Sequence, residues 1–230
     1  MTEDWENGGF GIYIHWPFCT AKCPYCDFNS HVRSNINQKQ WLKAYLNEIK
    51  RVSEKTSNRI LNSVFFGGGT PSLIEPSIIG DVLNEIQKHW KTKNNFEVTL
   101  EANPGSVDAK NFKAYKEAGV NRTSMGIQSL NTKDLKALGR THTVEEALAA
   151  FEIARQNFKA VSFDLIYARQ NQNISQWEKE LSLALSLEAS HMSLYQLTIE
   201  QGTAFGDRYN RGLLKGLPND DTSADMYDLT

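Results

Sequence analysis

Three cysteines, Cys19, Cys23 and Cys26, fall within eight residues and are the only ones in this 230-residue chain. Their spacing, C-x3-C-x2-C, puts three thiolates on one short loop. That suits three corners of an iron–sulfur cubane, for which cysteine is the usual ligand. No fourth cysteine is present to saturate such a cluster. One iron would therefore stay open to an outside molecule, such as one that chelates through an amine and a carboxylate. Two other chemistries use cysteines spaced like this. A zinc site needs a fourth ligand, which Asp27, His15 or His31 could supply. Cys23 and Cys26 also form a Cys-x-x-Cys pair capable of redox exchange. An odd number of cysteines crowded into one loop is a poor disulfide framework. Trp16, Phe18, Tyr25 and Phe28 flank the loop, and an apolar shell of this kind shields a reduced cluster, which zinc does not require.

The elements that must position this loop follow from hydrophobic spacing. It predicts strands over residues 10–15, 61–66, 96–101, 122–128, 161–167 and 192–197. Amphipathic helices are expected over 38–55, 77–90, 108–118, 133–138, 144–156 and 174–187. Such alternation implies parallel strands joined by right-handed crossovers. A closed eight-fold barrel takes roughly 250 residues, so six units point to an α/β fold, a partial (β/α)6 TIM-like barrel, over residues 10–215. Residues 1–9 are expected to be flexible. Residues 216–230 begin a helix that stops without a C-cap signal, and the natural protein is expected to continue past Thr230.

Polar motifs recur at the C-terminal ends of the predicted strands, the edge that carries active sites in parallel α/β folds. Gly67-Gly-Gly-Thr-Pro71 follows the second strand, and glycines let backbone N–H groups approach a ligand. Glu101-Ala-Asn-Pro104 ends the third, and Gln128 closes the fourth. Arg140 lies twelve residues later, its planar fork suited to a carboxylate. Asp164 sits in the apolar run Ser162-Phe-Asp-Leu-Ile-Tyr167, where a carboxylate needs a partner. His15, His89 and His142 are read as structural.

Composition narrows the setting. A net charge of -2 gives no electrostatic case for nucleic acid, and 40% hydrophobic content fits one globular domain. No apolar run approaches the length of a membrane span. The first nine residues are acidic and polar, unlike a signal peptide, so a cytoplasmic protein is expected.

The string His15-Trp-Pro-Phe-Cys19, continued by Cys23-Pro-Tyr-Cys26-Asp-Phe28, resembles the radical S-adenosylmethionine (SAM) superfamily. Within it the string is similar to the oxygen-independent coproporphyrinogen III oxidase branch. True oxidases of that branch tend to end the motif in Cys-x-Cys, whereas Cys26-Asp27-Phe28 resembles its haem chaperones. The resemblance runs from residue 12 to about residue 227. It implies a 4Fe–4S cluster on Cys19, Cys23 and Cys26, with SAM on the open iron. It also implies that Gly68, Gly69 and Thr70 receive the SAM amino group, Glu101 the amine or ribose, and Gln128 the ribose. Arg140 would take the carboxylate, Asp164 would contact SAM, and Thr198 would approach the adenine through its backbone. Tyr13 and Tyr25 complete the implied cofactor set. One departure stands out: Ala168-Arg-Gln-Asn-Gln172 replaces the family's usual Gly-Leu-Pro-x-Gln at the lip of the site. The implied partners are haem or a porphyrin, an electron donor protein and a haem-accepting respiratory enzyme. The runner-up reading is coproporphyrinogen decarboxylation; a zinc-stabilised binding module is the alternative from another class.

Overall fold

The computed structural model describes residues 4–106 and 109–230. After a helical turn at Trp5–Gly8, strand β1 (Phe10–Trp16) leads through the cysteine loop to helix α1 (Gln38–Thr56). The same alternation continues with β2 (Ile60–Gly68), α2 (Pro76–His89), β3 (Lys91–Ala102) and α3 (Ala109–Glu117). Then come β4 (Arg122–Gln128), α4 (Thr132–Ala137), α5 (Val144–Asn157), β5 (Ala160–Tyr167) and α6 (Ile174–Ser186). Strand β6 (His191–Gln196), α7 (Ala204–Asn210) and α8 (Asp220–Leu229) complete the chain. The expected start of α3 at Asp108 and the expectation for residues 1–3 fall outside the described residues.

Every pairing in the six-stranded sheet is parallel, and the strands lie in chain order from β1 to β6. Each strand has two unlike faces because successive side chains point to opposite sides. On β4, Thr123, Met125 and Ile127 are buried while Arg122, Ser124, Gly126 and Gln128 are half-exposed. The first set joins a helix-covered core that includes Trp16, Phe66, Phe112, Phe151, Phe163 and Trp177. There Phe151 of α5 meets Phe163 of β5 edge-on at 5.5 Å, and Tyr167 stacks on Trp177 of α6 at 5.3 Å. The second set lines the concave side of the sheet.

That the sheet curls follows from which residues share a cavity. Leu197, Thr198 and Glu200, just past β6, line the same hollow as Cys19, just past β1. The Phe205 N–H donates to the Pro24 carbonyl at 2.8 Å, joining the two margins. The architecture is the expected partial (β/α)6 barrel. Loops at this edge end in helix N-caps, where a side-chain oxygen accepts from the first turn: Asn37, Asn131, Thr143, Asn173 and Thr203.

Two differences from the sequence expectations have physical causes. Strand β3 begins at Lys91, not at residue 96, because Ile60 and Leu61 pair with Lys91 and Thr92 through backbone alone. The first five residues of β3 are exposed, so no apolar period marks them. Helix α7 was not expected either; it is short, and Phe205 and Gly206 are its buried residues. Helix α8 packs on α6: Met226 is fully buried, and Trp177 Nε1 donates to Thr230 Oγ1 at 3.0 Å. Among the described residues, no helix is long and apolar enough to cross a membrane.

Candidate functional site

The cysteine loop is held at both ends. Phe18–Cys19 pairs with His31–Val32 as a short parallel ladder. Lys22 Nζ donates to the carbonyls of Phe28 and Ser30, both at 3.2 Å, and His15 Nε2 donates to that of Asn29 at 2.9 Å. A turn closes from the Cys26 N–H to the Cys23 carbonyl at 3.1 Å. Cys19 is buried, Cys23 and Cys26 are half-buried, and burial pushes the Cys26 thiol up.

The glycine triplet runs beside this loop. Gly69 N–H donates to the Trp16 carbonyl at 2.7 Å and Thr70 N–H to that of Phe18 at 2.8 Å. A Cβ on Gly69 would lie 2.6 Å from the Phe18 carbonyl oxygen, and Gly68 has φ +118, so neither position accepts a side chain. The Gly68 N–H in turn donates to Glu101 Oε2 at 3.1 Å, fixing the carboxylate at the end of β3.

A cavity of about 320 Å³ opens here, within the usual range for small-molecule sites. All three cysteines line it, together with Tyr25, Gly68, Gly69, Thr70, Glu101, Gln128, Arg140, Asp164 and Thr198. Tyr13 lies apart from this set. It sits on β1, its ring stacked on Phe65 at 6.0 Å and its hydroxyl 3.3 Å from His15 Nδ1.

Charge in the cavity is uneven. Burial, assisted by Asp164, pushes Glu101 up to about 7 against the Gly68 N–H bond. Burial raises Asp164 to about 6, despite hydrogen bonds from Ser193 and Ser124 and the charges of Arg122 and Arg140. Arg140 reaches Cys23 Sγ with Nη1 at 3.0 Å and donates through Nη2 to the Gly126 carbonyl at 2.9 Å. Two carboxylates and one guanidinium around one hollow complement a ligand that carries two positive groups and one carboxylate.

The same residues bear on the metal. Three thiols on one cavity wall, with no fourth cysteine in the chain, fit a cubane with one open corner. Among the described residues, no three His, Cys, Asp or Glu side chains converge as on a single ion. Thiolates around a cubane stand apart by the width of the cluster, so the two findings agree. Of the fourth zinc ligands considered, His15 has both ring nitrogens engaged and Asp27 lines the cavity.

Sequence reasoning missed three contributors. Ser124 and Ser193 support Asp164, and Arg122 reaches Ser162 at 3.1 Å, which reaches Ser124 at 3.0 Å. The signal was the alternation Arg122-x-Ser124-x-Gly126-x-Gln128, which puts every second residue of β4 on the concave face. Arg169, in the departing loop, turns away from the cavity. It is buried, paired with Glu180 and, at 2.7 Å, with Asp134.

The family described as the radical SAM superfamily matches residues 13–184. The heme chaperone HemW of Haemophilus influenzae is 41% identical over 223 residues, covering 94% of this chain and 57% of that protein. The radical S-adenosyl methionine domain-containing protein 1, mitochondrial, of Danio rerio is 39% identical over 217 residues, covering 94% and 49%. Among solved structures, coproporphyrinogen III oxidase (HemN) from Escherichia coli superposes with a TM-score of 0.82 at 23% identity, over 95% of this chain and 50% of that one. At that identity the likeness shows the fold. The chain spans about half the length of the curated relatives it matches.

Proposed function

This chain belongs to the radical SAM superfamily, and from that premise we propose that it binds a 4Fe–4S cluster and SAM and serves as a haem chaperone. The cluster sits on Cys19, Cys23 and Cys26. The observation that carries the first part is the single cavity shared by the three cysteines, Gly68, Gly69, Thr70, Glu101, Gln128, Arg140 and Asp164. When bound and reduced, the cluster supplies the electron that breaks a C–S bond of SAM, giving methionine and a 5′-deoxyadenosyl radical.

The protein's own part is positioning. Arg140 pairs with the SAM carboxylate, and Glu101 and Asp164 offset the ammonium and the sulfonium. The backbone at residues 68–70 meets the amino group, Gln128 the ribose and Thr198 the adenine, while Tyr25 flanks the ligand; Tyr13, outside the cavity, is left without a contact to it. Because Glu101 and Asp164 must be ionised for this task, SAM affinity rises with pH through the interval of about 6 to 7.

The chaperone role is supported by Asp27-Phe28 after Cys26 and by 41% identity to a protein named as a heme chaperone. In this reading the protein works in the cytoplasm, takes electrons from a donor protein, and passes haem to a respiratory enzyme.

Anaerobically reconstituted, dithionite-reduced protein is expected to carry about four irons and four sulfides per chain. Adding SAM is expected to change its EPR spectrum or release 5′-deoxyadenosine. An intact cluster that SAM leaves untouched on both counts would remove the SAM assignment. Cys23→Ser is expected to abolish the cluster. Saturable haem binding, followed by absorbance, supports the chaperone role. Decarboxylation of coproporphyrinogen without haem binding would move the protein to the oxidase class.

A further inference from the structure

The end of β4 leaves regular sheet geometry. Its pairing with β5 runs from Arg122↔Ala160 to Met125↔Phe163 and resumes at Gln128↔Leu165, so three steps on one strand face two on the other. This is a bulge, and its two carbonyls are taken up by side chains from one loop. Arg140 Nη2 donates to Gly126 O at 2.9 Å, and His142 Nε2 donates to Ile127 O at 3.0 Å. Gln128 follows with φ 73, a conformation that L-residues adopt only where their surroundings enforce it. Its side-chain amide folds over Gly126, where a Cβ would come within 2.8 Å of Nε2.

His142 is buried, at 4% exposure. A carbonyl can only accept, so Nε2 carries the hydrogen. Nδ1, which has no partner among the described residues, is the bare nitrogen of a neutral ring. Burial and the nearby Arg140 charge push the ring's pKa down, keeping it neutral.

We propose that His142 is a positioning residue, whose Nε2–H fixes the bulge at Ile127 and thereby aims Gln128 into the cavity. The inference rests on the reading that the cavity takes SAM. A histidine that merely fills space would change stability without changing SAM binding through Gln128.

The test uses reconstituted protein, with SAM affinity measured by equilibrium dialysis beside iron content and thermal midpoint. His142→Leu is expected to weaken SAM binding about fivefold, the loss expected for one neutral hydrogen bond, with the iron content unchanged. Gln128→Ala is expected to show the same loss, and the double variant no more than Gln128→Ala alone. His142→Gln, which keeps an N–H donor at similar reach, is expected to stay within about twofold of the unaltered protein. His142→Asn, too short to reach Ile127, is expected to lose affinity; it serves as the second loss variant should His142→Leu fail to fold. Unaltered affinity in either loss variant, or losses that multiply in the double variant, would overturn the inference alone. Unaltered protein with a full cluster and no SAM binding would overturn the cavity reading and this inference with it.

Discussion

The ends of β4 and β5 lie side by side, and both enter the left-handed region, at Gln128 (φ 73) and Ala168 (φ 56). At Gln128 the strained residue is also one whose side chain lines the cavity. Ala168 is buried in the core, and its side chain is a single methyl. What is held in place there is the path of the chain. Arg169 N–H donates to Gln172 Oε1 at 3.1 Å, while the Arg169 guanidinium pairs with Glu180 and Asp134. Strain at one strand end presents a group to the cavity; at its neighbour it turns an arginine inward. The two ends are also tied together. Glu180, the partner of Arg169, accepts from Ser129 Oγ and from the Leu130 N–H, both at 2.7 Å, just past Gln128.

The strongest way to break this comparison is to remove the inward arginine. Arg169→Met leaves Glu180 buried without its cation, and breaking a buried pair this way costs about 3–5 kcal/mol. A thermal midpoint lowered by roughly 6–20 °C is expected from that loss. A shift under about 2 °C would mean that the β5 turn does not depend on the ion pair.

A second test concerns the carboxylate at the end of β3. Glu101 is raised from 4.5 to about 7 in the folded chain. The folded state therefore holds its proton more tightly than the unfolded state does. The resulting destabilisation is absent below pH 4.5, grows through the interval to about 7 and is complete above it. It amounts to about 3 kcal/mol at most. Denaturant titrations of cluster-free, reduced protein at pH 5 and pH 8 should show lower stability at the higher pH. Glu101→Gln should reduce that difference; an unchanged difference would mean that this carboxylate is not the group responsible.

Gln128→Ala keeps the strained backbone and removes the amide. It should weaken SAM binding about fivefold, near 1 kcal/mol, and leave unfolding by denaturant within about 0.5 kcal/mol of the unaltered protein. Ala168→Gly should do least of all. Relief of left-handed strain, about 1–2 kcal/mol, is offset by unfolded-chain entropy of about 0.4–1 kcal/mol and by one lost methyl contact of about 0.8 kcal/mol. A midpoint within about 2 °C of the unaltered protein is expected. A drop of more than about 5 °C would show that the methyl itself matters.

Much of this was legible in the sequence because its signals are local. The spacing of Cys19, Cys23 and Cys26 is a loop property, and polar residues such as Glu101 and Gln128 marked the ends of apolar runs. The polar start of β3 was not legible, since Lys91 and Thr92 pair through backbone without burying side chains. The conformation of the loop after β5 was not legible for a different reason. The family's usual glycine and proline are missing there, and in their place Ala168 adopts a left-handed conformation and Arg169 finds partners at positions 134 and 180. Such partners are brought together only by the fold. The same limit applies to His142, whose carbonyl partner lies on a different element.

The hydrogen bond from Phe205 to Pro24 sets an order of events during synthesis. The loop proposed to hold the cluster leaves the ribosome early, yet the residue that closes over it is made 181 positions later, the difference between 205 and 24. At about 5–20 residues per second, that interval is roughly 10–40 s. Until it has passed, the three thiols belong to an unfinished site, open to oxidation or to the wrong metal. The cysteine loop follows only the first strand of the barrel in order of synthesis and is among the last parts to be sealed.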